Sequence, residues 1–342
     1  MLGDDDALAP GFIREVLRLI EEMGSPDILF YAAYHYCYPD VIKTSPKGYL
    51  ADVRNSEFFE GQVAPFRLLP EQAHRAAKAI FDMRYLFGFN SQHFMFRAGF
   101  LNDIVSSSIG SIFQSPYPDT FAAAVSFLKA KTIVVIPYPV VMIGISPKSF
   151  GYYYFNNLRT EGSDFLNNEL VSEDIRKSLS NVVLPGNSNN TNWLVAAEAA
   201  RQALSPEFEF QINFDRYRVL QIVAFLRDIY VTKARKIDEL DQLASKLSRT
   251  EYIFLDVLLS AIDSIKASPD HTIKMFDAWD KKLEQFCPAK VTMLDIGQHN
   301  SIIDAFNWLD NPPAPIKLPR IFSIYSLCRI IAAIKRRIRI FG

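Results

Sequence analysis

Cysteine is scarce in this chain: Cys37, Cys287 and Cys328 are the only three in 342 residues. They lie far apart, in no metal-ligand spacing, and an odd, sparse set supplies no disulfide framework. A reducing compartment is the expectation. Excess charge is missing too. The net charge of −1 argues against general nucleic-acid binding, which needs many phosphate contacts from Lys and Arg. No apolar run is long enough to span a bilayer without charges. The first residues are acidic rather than basic and then apolar, so no secretory leader is expected, and the sequon Asn189-Asn190-Thr191 reads as a polar loop. No internal repeat is present. The expected localisation is cytoplasmic.

What is present suits a sizeable core: 49% of residues are hydrophobic, with 27 Phe and 15 Tyr. Phe12, Ile13, Val16, Leu17 and Ile20 repeat at helical spacing, Pro10 suits the first turn, and Gly24-Ser25-Pro26 ends the helix. Ile28 to Tyr36 is rich in β-branched and aromatic residues between Pro26 and Pro39 and reads as a strand. Residues 38 to 69 read mostly as a long loop. A helix is expected from about Pro70 to Arg84, a short strand over Gln92 to Phe96 and a helix from about Thr120 to Lys129. Two β runs, Thr132 to Ile136 and Val140 to Ile145, flank Pro137-Tyr138-Pro139. The composition then changes. Residues 161–192 end in a Pro-, Gly-, Ser- and Asn-bearing stretch that reads as a linker. Beyond it, helices are expected over Trp193–Leu204, Arg216–Leu247, Ile253–Ile265 and Ile273–Phe286. Residues 1–160 therefore form an α/β layer, and residues 193–342 an α-helical region. A Pro-rich stretch from Asn311 to Pro319 sets off its basic amphipathic end.

Four places carry candidate chemistry. Asp4-Asp5-Asp6 is a cluster of hard oxygen ligands suited to Mg²⁺ or Mn²⁺; as a bland alternative it is a solvated acidic end near a helix N-terminus. Asp119 is placed either as a proton acceptor or as the N-cap of the helix that follows it. Lys148, in a Ser-Pro-Lys-Ser loop after the second β run, is either a diphosphate contact or a solvated lysine. His35 and Cys37 alternate onto one strand face without a third ligand in view. The last segment, residues 320–342, holds Arg329, Lys335, Arg336, Arg337 and Arg339 among Ile, Leu and Phe. It suits an anionic membrane surface or a packed terminal helix.

The order Gly3-Asp4-Asp5-Asp6-Ala7-Leu8-Ala9-Pro10-Gly11, an amphipathic helix and then a strand resembles the segment around the DXD motif of family 2 glycosyltransferases, which have the GT-A fold. Ser115-Pro116-Tyr117-Pro118-Asp119-Thr120-Phe121, with its helix and strand pair, resembles that family's catalytic-base segment. Ile143-Gly144-Ile145-Ser146-Pro147-Lys148-Ser149-Phe150-Gly151-Tyr152 is similar to a stretch of a bacterial subset. The resemblance covers residues 1 to 157. It implies a partial GT-A, Rossmann-like nucleotide-diphospho-sugar transferase domain followed by the helical region. The implied activity is transfer of a sugar from a nucleoside-diphosphate donor to a hydroxyl acceptor, glycan or lipid-linked, in surface polysaccharide synthesis. Mn²⁺ or Mg²⁺ would be held at Asp4, Asp5 and Asp6, Lys148 would contact the diphosphate, and Asp119 would be the base of a single inverting displacement. His93 and Arg97 flank a strand where the family often places acceptor-side residues. The chain departs from the pattern in two ways: Pro118 stands where many members have an acid, and only Met1, Leu2 and Gly3 precede the triplet, where the family has a nucleotide-binding unit. An N-terminally truncated enzyme is therefore expected. The alternative is an inactive homologue acting as a helical membrane- or partner-binding module, and peripheral contact with the inner face of an anionic membrane is the alternative localisation.

Overall fold

The computed structural model describes residues 2–43, 45–55, 58–59, 61–84, 89–114, 116–156, 158, 162, 172–186, 188–265, 269–284, 289–294 and 301–309. Ser115, much of the expected linker and the basic segment 320–342 lie outside the described residues.

Two long strands form the middle of a mixed sheet. They are β2 (Ile28–Cys37) and β6 (Ile133–Ile145), and they run parallel in register from Ile28 opposite Ile133 to Cys37 opposite Ile145. Both are apolar along almost their whole length because both of their faces are covered. The short edge pieces are antiparallel. β1 (Ala7–Leu8) and β4 (Phe66–Arg67) pair with β6, while β3 (Tyr49–Asn55) and β5 (Phe94–Phe96) pair with β2. β7 (Ala289–Leu294) adds to β3. The backbone order is β1-β6-β2-β3-β7. Two sequence expectations change here. Residues 38–69 hold β3 and β4 rather than one loop. Pro137-Tyr138-Pro139 does not divide two strands: β6 runs through, and the register shift falls opposite Tyr31, Ala32 and Ala33 of β2. Proline removes a ladder donor, so an irregularity is where it is tolerated in a sheet.

Helix α1 (Phe12–Met23) lies on one face, where Phe12, Val16 and Leu19 pack on Leu29, Tyr31, Ala33 and Ile143. Gly24 ends it in the left-handed conformation, φ 71°, as a C-terminal glycine cap does. The opposite face is covered by α2 (Pro70–Phe81), α4 (Pro118–Lys129) and α7 (Ser188–Leu204). In α4 every side chain from Phe121 to Phe127 is buried. Phe30 centres this core, with ring centroids of Phe94, Phe59, Phe58 and Phe127 at 4.9, 5.2, 5.5 and 5.5 Å.

The remaining elements are helical: α3 (Ala98–Ser106), α5 (Phe150–Phe155), α6 (Glu173–Leu179), α8 (Phe214–Tyr230), α9 (Leu240–Ala244), α10 (Arg249–Ile265), α11 (Pro269–Glu284) and α12 (Ile302–Leu309). The long helix expected over Arg216–Leu247 is broken after Tyr230, where Lys233 has φ 59°, and resumes in a 3-10 turn, Ile237–Glu239, and α9. Residues expected as linker join the core: Leu179 and Leu184 are buried, and Trp193, Leu194 and Ala197 of α7 pack in one cluster with Phe30 and Phe121. Residues Met1–Phe306 accordingly form one compact unit. A second cluster, from α8, α10 and α11, closes around Phe225, Leu255 and Phe276.

Candidate functional site

The chain leaves the two parallel strands at the same end of the sheet, and that end is where open α/β sheets bind ligands. β1 carries the acidic triplet to it. Ala7 pairs with Met142 and Leu8 with Val141 in antiparallel register, so the residues before Ala7 run toward the C-terminal end of β6. No strand is expected there from the sequence; two residues of pairing suffice because side chains complete the attachment. Asp6 Oδ1 accepts the Gly144 N–H at 3.0 Å, and its Oδ2 accepts the Gly3 N–H at 2.6 Å. Position 144 tolerates only glycine. A Cβ built there would stand 2.0 Å from the Asp5 carbonyl oxygen, well inside van der Waals contact.

The three carboxylates are thereby given different tasks. Asp4 is exposed. Asp6 holds the segment to β6; burial raises its pKa, and the hydrogen bonds from Gly3 and Gly144 oppose that rise. Asp5 Oδ2 is buried with no hydrogen-bond partner. A carboxylate oxygen in that state is a free ligand position, and Mg²⁺ or Mn²⁺ is commonly held by one or two carboxylates together with substrate phosphates. Among the described residues, no group of three or more His, Cys, Asp or Glu side chains is arranged to hold a metal ion.

Asp119 lies at the second position of α4, after Pro118. Its expected role as N-cap is corrected: Tyr117 occupies the cap position, and no side chain caps the helix. The Asp119 carboxylate reaches away from its own helix and accepts the Ser91 N–H at 2.8 Å. Burial pushes its pKa up, against hydrogen bonds from the Ser91 backbone and side chain.

The 3-10 turn Ser91–His93 leads into β5 and touches both carboxylate sites. Ser91 binds Asp119, and the Gln92 side chain hydrogen-bonds Asp6. His93 is 1% exposed, and its Nδ1 lies 2.8 Å from the Tyr31 carbonyl oxygen. A carbonyl only accepts, so Nδ1 carries the proton and Nε2 the lone pair. That Nε2 is buried without a partner, as are Gln92 Oε1 and His35 Nε2. The His35 and His93 rings lie 6.2 Å apart. Burial lowers both pKa values, to about 3 for His35, where the neighbouring His93 adds to the effect, and to about 4 for His93. Both are neutral imidazoles at neutral pH.

Tyr31 and Tyr38 complete the surroundings. Burial raises both hydroxyl pKa values, and negative charge at Asp6 adds to the rise at Tyr31, as Asp5, Asp6 and Asp4 do at Tyr38. Sequence reasoning placed neither tyrosine nor Gln92 at the site. Its only signal was adjacency, Gln92 to His93 and Tyr31 to the β2 pattern. Lys148 is exposed in the turn that follows β6, at the same end of the sheet. Arg97 is elsewhere: it is paired with Asp27, which also accepts the Lys131 and Thr132 N–H groups before β6. It ties the starts of the two central strands, at the far end from the carboxylates. Cys37 is buried, its Sγ 3.5 Å from the Tyr38 carbonyl, and burial raises its thiol pKa to about 11.

Compared with protein-family models, curated proteins and solved structures, the chain gives no match. Among the described residues, no helix is long and apolar enough to cross a membrane.

Proposed function

We propose that this chain carries the acceptor-side half of a metal-assisted glycosyltransferase site of the GT-A type. The observation that carries the reading is the meeting of two distant carboxylate segments. Asp5 and Asp6, from the N-terminal segment, and Asp119, from the start of α4, flank the single turn Ser91–His93. Asp5 would offer its unpartnered oxygen to Mn²⁺ or Mg²⁺, with Asp6 holding the segment in place and Asp4 at the exposed edge. The ion, when bound, neutralises charge developing on a leaving diphosphate. Lys148, in the turn after β6, would add a cation toward the same diphosphate.

Asp119 would take the proton of the acceptor hydroxyl as the hydroxyl attacks the anomeric carbon, giving inversion in one displacement. A base works best with a pKa drawn toward the working pH, and burial raises that of Asp119. The Ser91 N–H keeps its carboxylate oriented. The donor is a nucleoside-diphosphate sugar and the acceptor a glycan or lipid-linked hydroxyl.

The test is Asp119→Asn, assayed for nucleoside-diphosphate binding with Mn²⁺ by calorimetry and for sugar transfer. Mn²⁺-dependent binding should persist while transfer falls by about 10²-fold or more. Transfer unchanged in the variant, or nucleotide binding indifferent to Mn²⁺, refutes the reading.

A further inference from the structure

We propose that the turn Ser91–His93 is a positioning element shared by both carboxylate sites, with His93 as its anchor, so that a change at the acidic triplet is transmitted to Asp119. The inference rests on the reading above for its functional meaning, and on geometry alone for the coupling itself. Three consecutive residues face three different partners. Ser91 gives its N–H to Asp119 Oδ1 at 2.8 Å, Gln92 gives its amide to Asp6, and His93 Nδ1 gives its proton to the Tyr31 carbonyl at 2.8 Å. Each partner belongs to a different element: α4, the segment before β1, and β2.

The turn cannot move for one partner alone. A 3-10 turn of three residues has no slack, and its exit is pinned because Phe94 pairs with Phe30 in the β5–β2 ladder. The Phe94 and Phe30 rings stack at 4.9 Å. At its buried end, His93 fits between Phe30 and His35, with ring centroids at 6.4 and 6.2 Å. Displacing Asp6 draws on Gln92; Gln92 and Ser91 share a peptide, so the Ser91 N–H shifts under Asp119. Such coupling needs an element whose position both sites bias, and the turn is that element. His93 acts on Asp119 and Asp6 through its neighbours, and is a positioning residue.

The test reads two amides in the full chain by NMR. Gly144 N–H reports the Asp6 end and Ser91 N–H the Asp119 end. His93→Phe keeps a ring in the aromatic cluster but removes the Nδ1 donor. It should shift both amides and reduce the hydrogen-exchange protection of each by about tenfold or more. His93→Asn, whose side-chain amide can donate to the Tyr31 carbonyl, should restore most of that protection. A buried ring with only a packing role predicts the reverse order, Phe tolerated and Asn damaging. Asp119→Asn should move the Gly144 amide without any change in sequence near it. If His93→Phe leaves both amides unchanged, or if Asp119→Asn leaves Gly144 untouched, the coupling is overturned. Should His93→Phe fail to fold, the Asp119→Asn arm decides alone. Added Mg²⁺ separates the two readings. If Mg²⁺ moves Gly144 but not Ser91, the coupling fails and the metal site stands; if the variants behave as expected but Mg²⁺ moves neither amide, the coupling stands and the metal reading fails.

Discussion

Replacing Gly144 by alanine strikes the acidic segment without touching an acid. The added Cβ would lie 2.0 Å from Asp5 O, 2.7 Å from Asp5 C and 3.0 Å from Asp5 Cβ. Ordinary contact begins beyond 3 Å, so the Asp5 backbone must retreat by about 1 Å or more. It cannot do so freely, because Asp6 Oδ1 is bonded to Gly144 N at 3.0 Å and Ala7 is paired with Met142. Loss of a hydrogen bond to a charged acceptor costs about 1.5–3 kcal/mol, and overpacking about 1–3 kcal/mol. The stiffer unfolded chain returns about 0.4–1 kcal/mol. The net expectation is destabilisation of about 2–4 kcal/mol, read by urea denaturation. The decisive control deletes residues 2–6. In that background nothing opposes the methyl group, and Gly144→Ala should be neutral or slightly stabilising. The difference between backgrounds isolates the contact. Equal costs in both backgrounds, or no cost in the full chain, would refute the argument that position 144 is glycine because Asp5 crosses it.

Other outcomes follow from the same structure. Unfolded histidine binds a proton below about 6.5, whereas folded His93 stays neutral down to about 4. The unfolded state therefore holds more protons between these values, and stability falls as pH drops through that window. At about 1.36 kcal/mol per pKa unit this amounts to about 3 kcal/mol for His93, so His93→Asn should flatten the denaturation-versus-pH curve between pH 6.5 and 4; an unchanged slope counts against it. Phe30→Ala empties the centre of the ring cluster and should cost about 3–5 kcal/mol in urea denaturation, with Phe30→Leu clearly milder. For residues 320–342, the membrane-surface reading expects co-sedimentation with anionic vesicles at low salt, lost when the segment is deleted and weakened by salt; no binding at low salt removes that alternative.

Local patterns settled much of the architecture in advance. The spacing of Phe12, Val16 and Leu19 specifies α1, and the unbroken apolar run Ile28–Cys37 specifies a strand covered on both sides, because periodicity is a local property of burial. The alternation of such segments places the chain in a mixed α/β class. Asp119 and the acidic triplet stood out for the same reason, being carboxylates at element starts. What the residues do depended on long-range contact. Nothing near Asp119 says that its carboxylate serves Ser91 rather than its own helix. Nothing near Asp6 says that it is occupied by Gly144, leaving Asp5 Oδ2 as the unpartnered oxygen. β1, β3 and β4 were illegible because two to seven residues without an alternating pattern become strands only when a partner strand supplies the hydrogen bonds. The break after Tyr230 escaped notice because apolar periodicity continues across it, and only packing of α8 against α10 and α11 ends the helix there. The sequence alone thus determined which segments must be buried; tertiary structure decided which polar groups are left to face one another, since that choice is made by backbone groups far away in the chain.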